Sequence, residues 1–130
     1  MINSFNIGKV VCGILLNDEK VNERVGDKIY PIIADETTTF PFIVYQRSGF
    51  TPQSNKDRTD ENVTVDIVIA AETYAESIDT AIRVREALEH KQGTFQGIDI
   101  NDIVIDDATE DYAENTFLQH ITITVFLDNN

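Results

Sequence analysis

Asn62-Val63-Thr64-Val65-Asp66-Ile67-Val68-Ile69-Ala70-Ala71, followed almost at once by Thr73-Tyr74-Ala75-Glu76, decides the fold class. Val63, Val65, Ile67, Ile69 and Ala71 fall on every second position, the period of a strand with one buried face. Val68 and Ala70 make part of the second face apolar too, which predicts a central strand covered on both sides near its end. Thr73 and Glu76 then have the spacing of a capping box, in which each side chain satisfies a backbone N–H that the first helical turn leaves open. The helix opened there is expected to run to about Lys91 and to stop at Gly93. Its expected apolar face is Tyr74, Ile78, Ala81, Ile82 and Leu88.

On the N-terminal side, Phe5, Ile7, Val10, Val11, Ile14 and Leu15 have helical spacing, with Asn3 or Ser4 as the cap. Gly8 and Gly13 weaken that helix by about 1 kcal/mol each relative to alanine, so packing has to hold it. A short turn from Asp18 to Val25 should end at Gly26, a residue suited to a left-handed stop. Ile29-Tyr30-Pro31-Ile32-Ile33 reads as a short strand that Pro31 confines to an edge or makes irregular. Phe42-Ile43-Val44-Tyr45-Gln46 reads as another strand, entered through Pro41. Residues 51–61 are polar, with Pro52, Ser54, Asn55 and five charges, and are expected to be an exposed loop. Towards the C-terminus, Ile98–Ile105 and Phe117–Leu127 read as two closing strands, with Asp106–Asn115 an acidic connection between them. The order αβββαββ implies an α+β fold with a largely antiparallel sheet packed by an N-terminal helix and one longer central helix. A chain of 130 residues suits one domain spanning 1–130, and it shows no internal repeat.

The charge is strongly negative, −13 at neutral pH, and unevenly placed. Residues 92–130 hold eight acidic residues and no lysine or arginine, while residues 1–91 hold fifteen acidic residues against ten basic ones. Such a surface repels phosphates and anionic membranes, so direct nucleic-acid or membrane binding is not expected. No apolar run, Val10–Leu16 and Ile67–Ala71 included, comes near the ~20 residues that span a bilayer. No signal-peptide pattern opens the chain, which points to synthesis in a cytoplasm. Cys12 is the only cysteine, so neither an intrachain disulfide nor a thiolate metal cluster is expected.

Catalytic patterns are not found in the sequence. A nucleophile–base pair would need Ser4, Ser48, Ser54, Ser77 or Cys12 to meet His90 or His120, and none of these serines lies in a G-x-S-x-G turn. Cys12 reads as a small apolar filler of the first helix. His90 suits the negative end of a helix, and His120 alternates with Ile121 on a strand. The acidic series Asp99, Asp102, Asp106, Asp107, Glu110, Asp111 and Glu114 invites a calcium reading. An EF-hand loop beginning at Asp106 or Asp107 fails, placing Asp111 or Tyr112 where glycine is needed and Phe117 or Leu118 where the bidentate glutamate is needed. No cofactor and no metal are expected, and the series reads as a solvated surface.

Four blocks carry a resemblance. Val25-Gly26-Asp27-Lys28-Ile29-Tyr30-Pro31 looks like V-G-x-R/K-I-Y-P, and Phe40-Pro41-Phe42-Ile43-Val44-Tyr45-Gln46 like P-(Y/F)-(I/V)-V-Y. Val63–Ala71 with Thr73-Tyr74-Ala75-Glu76 forms the third block, and Ala81–Leu88 the fourth. In this order and spacing the chain resembles the tail-completion, or tail-terminator, proteins of long-tailed bacteriophages and prophages, which join or terminate the tail at its head-proximal end. The resemblance implies a non-enzymatic virion protein made in a bacterial cytoplasm. It also implies a homo-oligomeric ring, with six subunits suspected, around the DNA path, and head-completion and other tail proteins as partners. Within that picture Asp106, Asp107, Glu110, Asp111 and Glu114 are candidates for an acidic channel or partner surface. Lys56 and Arg58, two of few cations, are candidates for contact with a neighbouring subunit. The rival readings are an acidic DNA mimic that blocks a basic DNA-binding protein, and a small-molecule enzyme or binding domain.

Overall fold

The structure, a computed structural model, describes residues 4–54 and 59–129. A 3₁₀ turn at Ser4–Asn6 leads into α1 (Ile7–Leu16) and α2 (Glu19–Val25). Strands β1 (Ile29–Pro31), β2 (Phe42–Ser54) and β3 (Thr59–Ala71) follow, then α3 (Tyr74–Leu88), and then β4 (Gly93–Phe95), β5 (Ile98–Ala113) and β6 (Thr116–Asn129). The strands form one six-stranded sheet in the order β1-β2-β3-β6-β5-β4, antiparallel except for the β1–β2 pair. This is the expected α+β fold, with α2 and β4 added to the expected order.

Central placement of β3 follows from its composition. It pairs with β2 from Ala70 to Thr59 and with β6 from Ala71 to Thr59, so both of its edges are occupied throughout. Val63, Val65, Ile67, Ile69 and Ala71 are fully buried on the face that meets the helices. The four Val and Ile side chains pack with Ile121, Ile123 and Val125 of β6 and with Ile7, Val10, Val11, Ile14 and Leu15 of α1 in one core. The opposite face carries Asn62, Thr64, Asp66 and Val68, all half-buried. Gly8 is explained by packing: a Cβ there would lie 3.1 Å from the Tyr45 ring, so the glycine lets α1 approach β2. The α2 reading holds, with Asp18 accepting from the N–H groups of Lys20 and Val21 and Gly26 closing the helix at φ 62. β1 is an edge strand, as Pro31 requires.

Four expectations need correction. Residues 51–61 are not a loop: β2 and β3 continue as a hairpin, paired through Thr51↔Asn62 to Ser54↔Thr59. Pro52 is tolerated because, among the described residues, β2 has no neighbour on its outer side beyond β1's short pairing at Ile43–Tyr45. Lys56 and Arg58 lie in the connection 55–58, outside the described residues. Asp106–Asn115 is likewise mostly strand, since β5 runs on to Ala113 and only Glu114 and Asn115, at φ 52 and 61, make the turn. Two positive φ values in succession are those of a tight hairpin turn.

The third correction concerns α3, which ends at Leu88 rather than near Lys91, with His90 at φ 60 and Gly93 already in β4. Its buried face is Ser77, Thr80, Val84, Ala87 and Leu88; Tyr74 and Ile82 are 47% and 50% exposed. The polar members can be buried because their hydroxyls donate within the helix, Ser77 to the Tyr74 carbonyl and Thr80 to the Glu76 carbonyl. Asp79 reinforces this orientation from the side, pairing with Arg24 of α2 at 2.6 Å and with Arg83 at 3.0 Å. The fourth concerns the first helix. Asn3 lies outside the described residues, Ser4 sits in the 3₁₀ turn, and α1 follows Asn6 without a side-chain cap.

Candidate assembly surfaces

The two edges of the sheet are built differently. On one side β4 covers β5 only at Ile98–Ile100, and the His90 N–H then donates to the Ile103 carbonyl. From Val104 to Ala113 no described strand pairs with the outer side of β5. The register of β5 shifts between Ile105 and Asp107. A bulge and a row of carboxylates are the devices by which open edges avoid indiscriminate pairing.

The bulge also sorts the predicted acidic residues onto different faces. After it, Ala108 pairs with the buried Ile121 and Glu110 with Gln119, so both face the helices, as does Tyr112 beside Phe117. Glu110 accepts from the Tyr74 hydroxyl at 3.0 and 3.1 Å and from Gln119 Nε2 at 3.1 Å. That carboxylate, through its hydrogen bond and its charge, raises the Tyr74 pKa. Asp107, paired with Thr122, and Asp111, paired with Leu118, point to the opposite face. The Asp106 carboxylate takes the Thr124 hydroxyl. Glu114 stands in the turn, where its carbonyl accepts from Thr116. Asp106, Asp107, Glu110, Asp111 and Glu114 therefore form an acidic margin around the β5–β6 hairpin and not a single patch.

Between that margin and α3 runs a groove of about 230 Å³ lined by Ile78, Ala81, Ile82, Arg85, Ile105, Ala108, Gln119 and Ile121. Beyond its far end the rings of Tyr74 and Tyr112 lie 5.9 and 4.8 Å from that of Phe117. Sequence reasoning missed the groove because Ile78 and Ile82 read as core. The available signal was that α3 carries two apolar stripes, where one helix face needs only one.

At the opposite edge, β1 offers little backbone. Pro31 has no N–H, the Ile32 N–H donates to the Tyr45 carbonyl, and the Ile33 N–H donates back to the Pro31 carbonyl at 2.6 Å. Ile32 and Ile33 are nonetheless 69% and 78% exposed. Farther along this margin, the Arg47 guanidinium lies 4.3 Å above the Phe5 ring.

The remaining candidate groups are occupied structurally. Cys12 is half-buried, and burial raises its thiol pKa against a smaller opposing effect of its bond to Tyr45. Burial likewise pushes Tyr45 up to about 12. Such a thiol is the opposite of an activated nucleophile. His90 Nδ1 lies 3.1 Å from Asp102, whose carboxylate also receives the Ile103 N–H, and so ties the end of α3 to β5. His120 Nε2 is 3.7 Å from Asp66. Among the described residues no three His, Cys, Asp or Glu side chains group in a way that could hold a metal ion. Nor is any described helix long and apolar enough to cross a membrane.

With this geometry in hand, comparison with known proteins is informative. The family described as tail completion protein gp17 matches residues 9–126. Among solved structures, a chain of the virion of native gene transfer agent (GTA) particle superposes with a TM-score of 0.82 at 13% identity. The match covers 93% of both chains, a likeness that speaks for the fold. Comparison with curated proteins gave no match. The chain belongs to the tail completion protein gp17 family and is a structural component of phage-type tails.

Proposed function

We propose that the protein closes the head-proximal end of a phage-type tail as a ring of identical subunits around the DNA path, and joins the tail to the head. It acts by shape and charge, without catalysing a reaction. The observation that carries this reading is the pair of unlike sheet edges, one open and acidic at β5 and one closed by Pro31 at β1, on a chain of the tail completion family. Unlike edges favour head-to-tail contacts, which close into rings when the rotation permits. The carboxylates Asp106, Asp107, Asp111 and Glu114 keep phosphate off whatever surface they line, as a DNA passage requires. Family membership leaves the DNA-mimic alternative without an observation of its own.

Lys56 and Arg58, which lie between β2 and β3 in the sequence, are proposed contacts with a neighbouring subunit or tail protein. The test is to delete the gene from its phage or prophage and complement it with wild type or with Lys56→Glu/Arg58→Glu. Deletion should leave separate heads and tails under the electron microscope, wild type should restore joined particles, and the double variant should restore few. Normal joined particles in the deletion strain would overturn the reading. A fully active double variant would remove only these two residues from it.

A further inference from the structure

Two exposed apolar features of the described residues lie on opposite margins of the sheet. One is the α3–β5 groove, where Ile82 is half-exposed. The other is the pair Ile32–Ile33, among the most exposed large apolar side chains described. Ile32 has φ 66, a conformation that β-branched residues rarely adopt. The segment around it is braced. The Lys28 ammonium is held by the Thr39 carbonyl and hydroxyl at 2.9 and 3.1 Å, Tyr30 bonds Thr38 at 2.9 Å, and Asp35 takes the Thr37 N–H and hydroxyl at 3.0 Å. An uncommon backbone state that its surroundings hold in place, with two isoleucines directed at solvent, is the kind of outlier that marks a contact.

We propose that Ile32 and Ile33 of one copy seat in the α3–β5 groove of the next copy. This deepens the ring reading above and rests on it. Charge selects this occupant and its direction. The segment carries Lys28, whose bonded partners are neutral, at one end and Asp35 and Glu36 at the other. The groove has Arg85, ion-paired with Glu89, at the end near Ile105, and the Glu110 carboxylate beyond its other end, beside Tyr74 and Tyr112. Lys28 meets Glu110 when the segment runs antiparallel to β5. The contact is made by side chains, because the outward N–H groups of this margin are missing at Pro31 and already used at Ile33. Each copy gives one segment and receives another, so the contact is heterologous and propagates.

The test uses the full chain with Cys12→Ala, so that introduced cysteines are unique. Ile33→Cys/Ile82→Cys treated with a short bis-maleimide should give a ladder of covalent oligomers. An equimolar mixture of the two single variants should stop at dimers, and each single variant alone should stay monomeric on a denaturing gel. Separately, Ile33→Asp should raise the concentration needed for ring formation about tenfold or more, a change of about 1.4 kcal/mol per contact. Dimers from either single variant alone would overturn the proposal, because like patches would then be meeting. Rings detected by native mass spectrometry with no ladder from the double variant would overturn it too, and leave the ring itself standing. Wild-type protein that stays monomeric at high concentration and in joined particles would remove the ring, and this contact with it.

Discussion

Ile67 and Ile69 are fully buried in the C-terminal half of β3, a strand that α3 packs against. Truncating either to alanine should cost about 2–5 kcal/mol, the range for aliphatic side chains deleted from packed interiors. Urea unfolding of the two variants checks this, and losses under about 1 kcal/mol at both would show that the site can collapse. Tyr45 makes a different residue-scale prediction. Burial holds its pKa at about 12 in the folded protein, above the 10.0 of a tyrosine in water, so the unfolded chain releases the proton first. The stabilisation is present below pH ~10 and is lost as pH rises towards ~12. Tyr45→Phe should flatten the fall in stability across that window, and an unchanged alkaline slope would deny Tyr45 the role. Cys12→Ser, His90→Ala and His120→Ala should each leave particle joining intact, since their contacts only support the fold. Loss of joining by any one of them in a folded protein would revive a chemical role.

At the scale of elements, α3 is where reading and structure part most clearly. Its start was legible because the Thr73 hydroxyl does accept the Glu76 N–H. Its buried face was not, because Ser77 and Thr80 look polar in a sequence and hide their hydroxyls only once the helix has formed. Ile82→Ala should therefore cost under about 1 kcal/mol, and Val84→Ala clearly more, despite the smaller side chain removed. The reverse order in thermal or urea melts would restore the expected face. Asp79 links α3 to α2 through Arg24, pairs within α3 with Arg83, and keeps its own carboxylate partly exposed. Asp79→Asn should cost at most about 1 kcal/mol, shrinking towards zero in about 1 M salt, as screening of accessible pairs requires. Strands buried on one face, β3 and the middle of β6, were readable from their period. The outer half of β5 was not, because a strand wet on both faces has no apolar alternation to show.

For the whole molecule the charge of −13 works against compactness, since most cations with described partners are already paired internally, as Arg24, Arg83 and Arg85 are. Screening that self-repulsion should raise the melting temperature by a few degrees between about 0.01 and 0.15 M salt. A fall instead would mean that the internal pairs outweigh the repulsion. Family and sheet class could be read from the chain, whereas the acidic margin could not be placed. A single register shift after Ile105 sends Glu110 to one side and Asp107 and Asp111 to the other, and nothing in the residue types marks that shift.

The Pro31 edge has a further consequence. In the ring proposed above, unlike margins make copies meet left to right, never right to right. A circle assembled under that rule has no two-fold axis lying in its plane, so its upper and lower rims are different objects. Only one rim can match the growing end of a tube, and the other is left to face whatever comes next. Direction along the whole particle would then trace to the two unlike margins of one sheet.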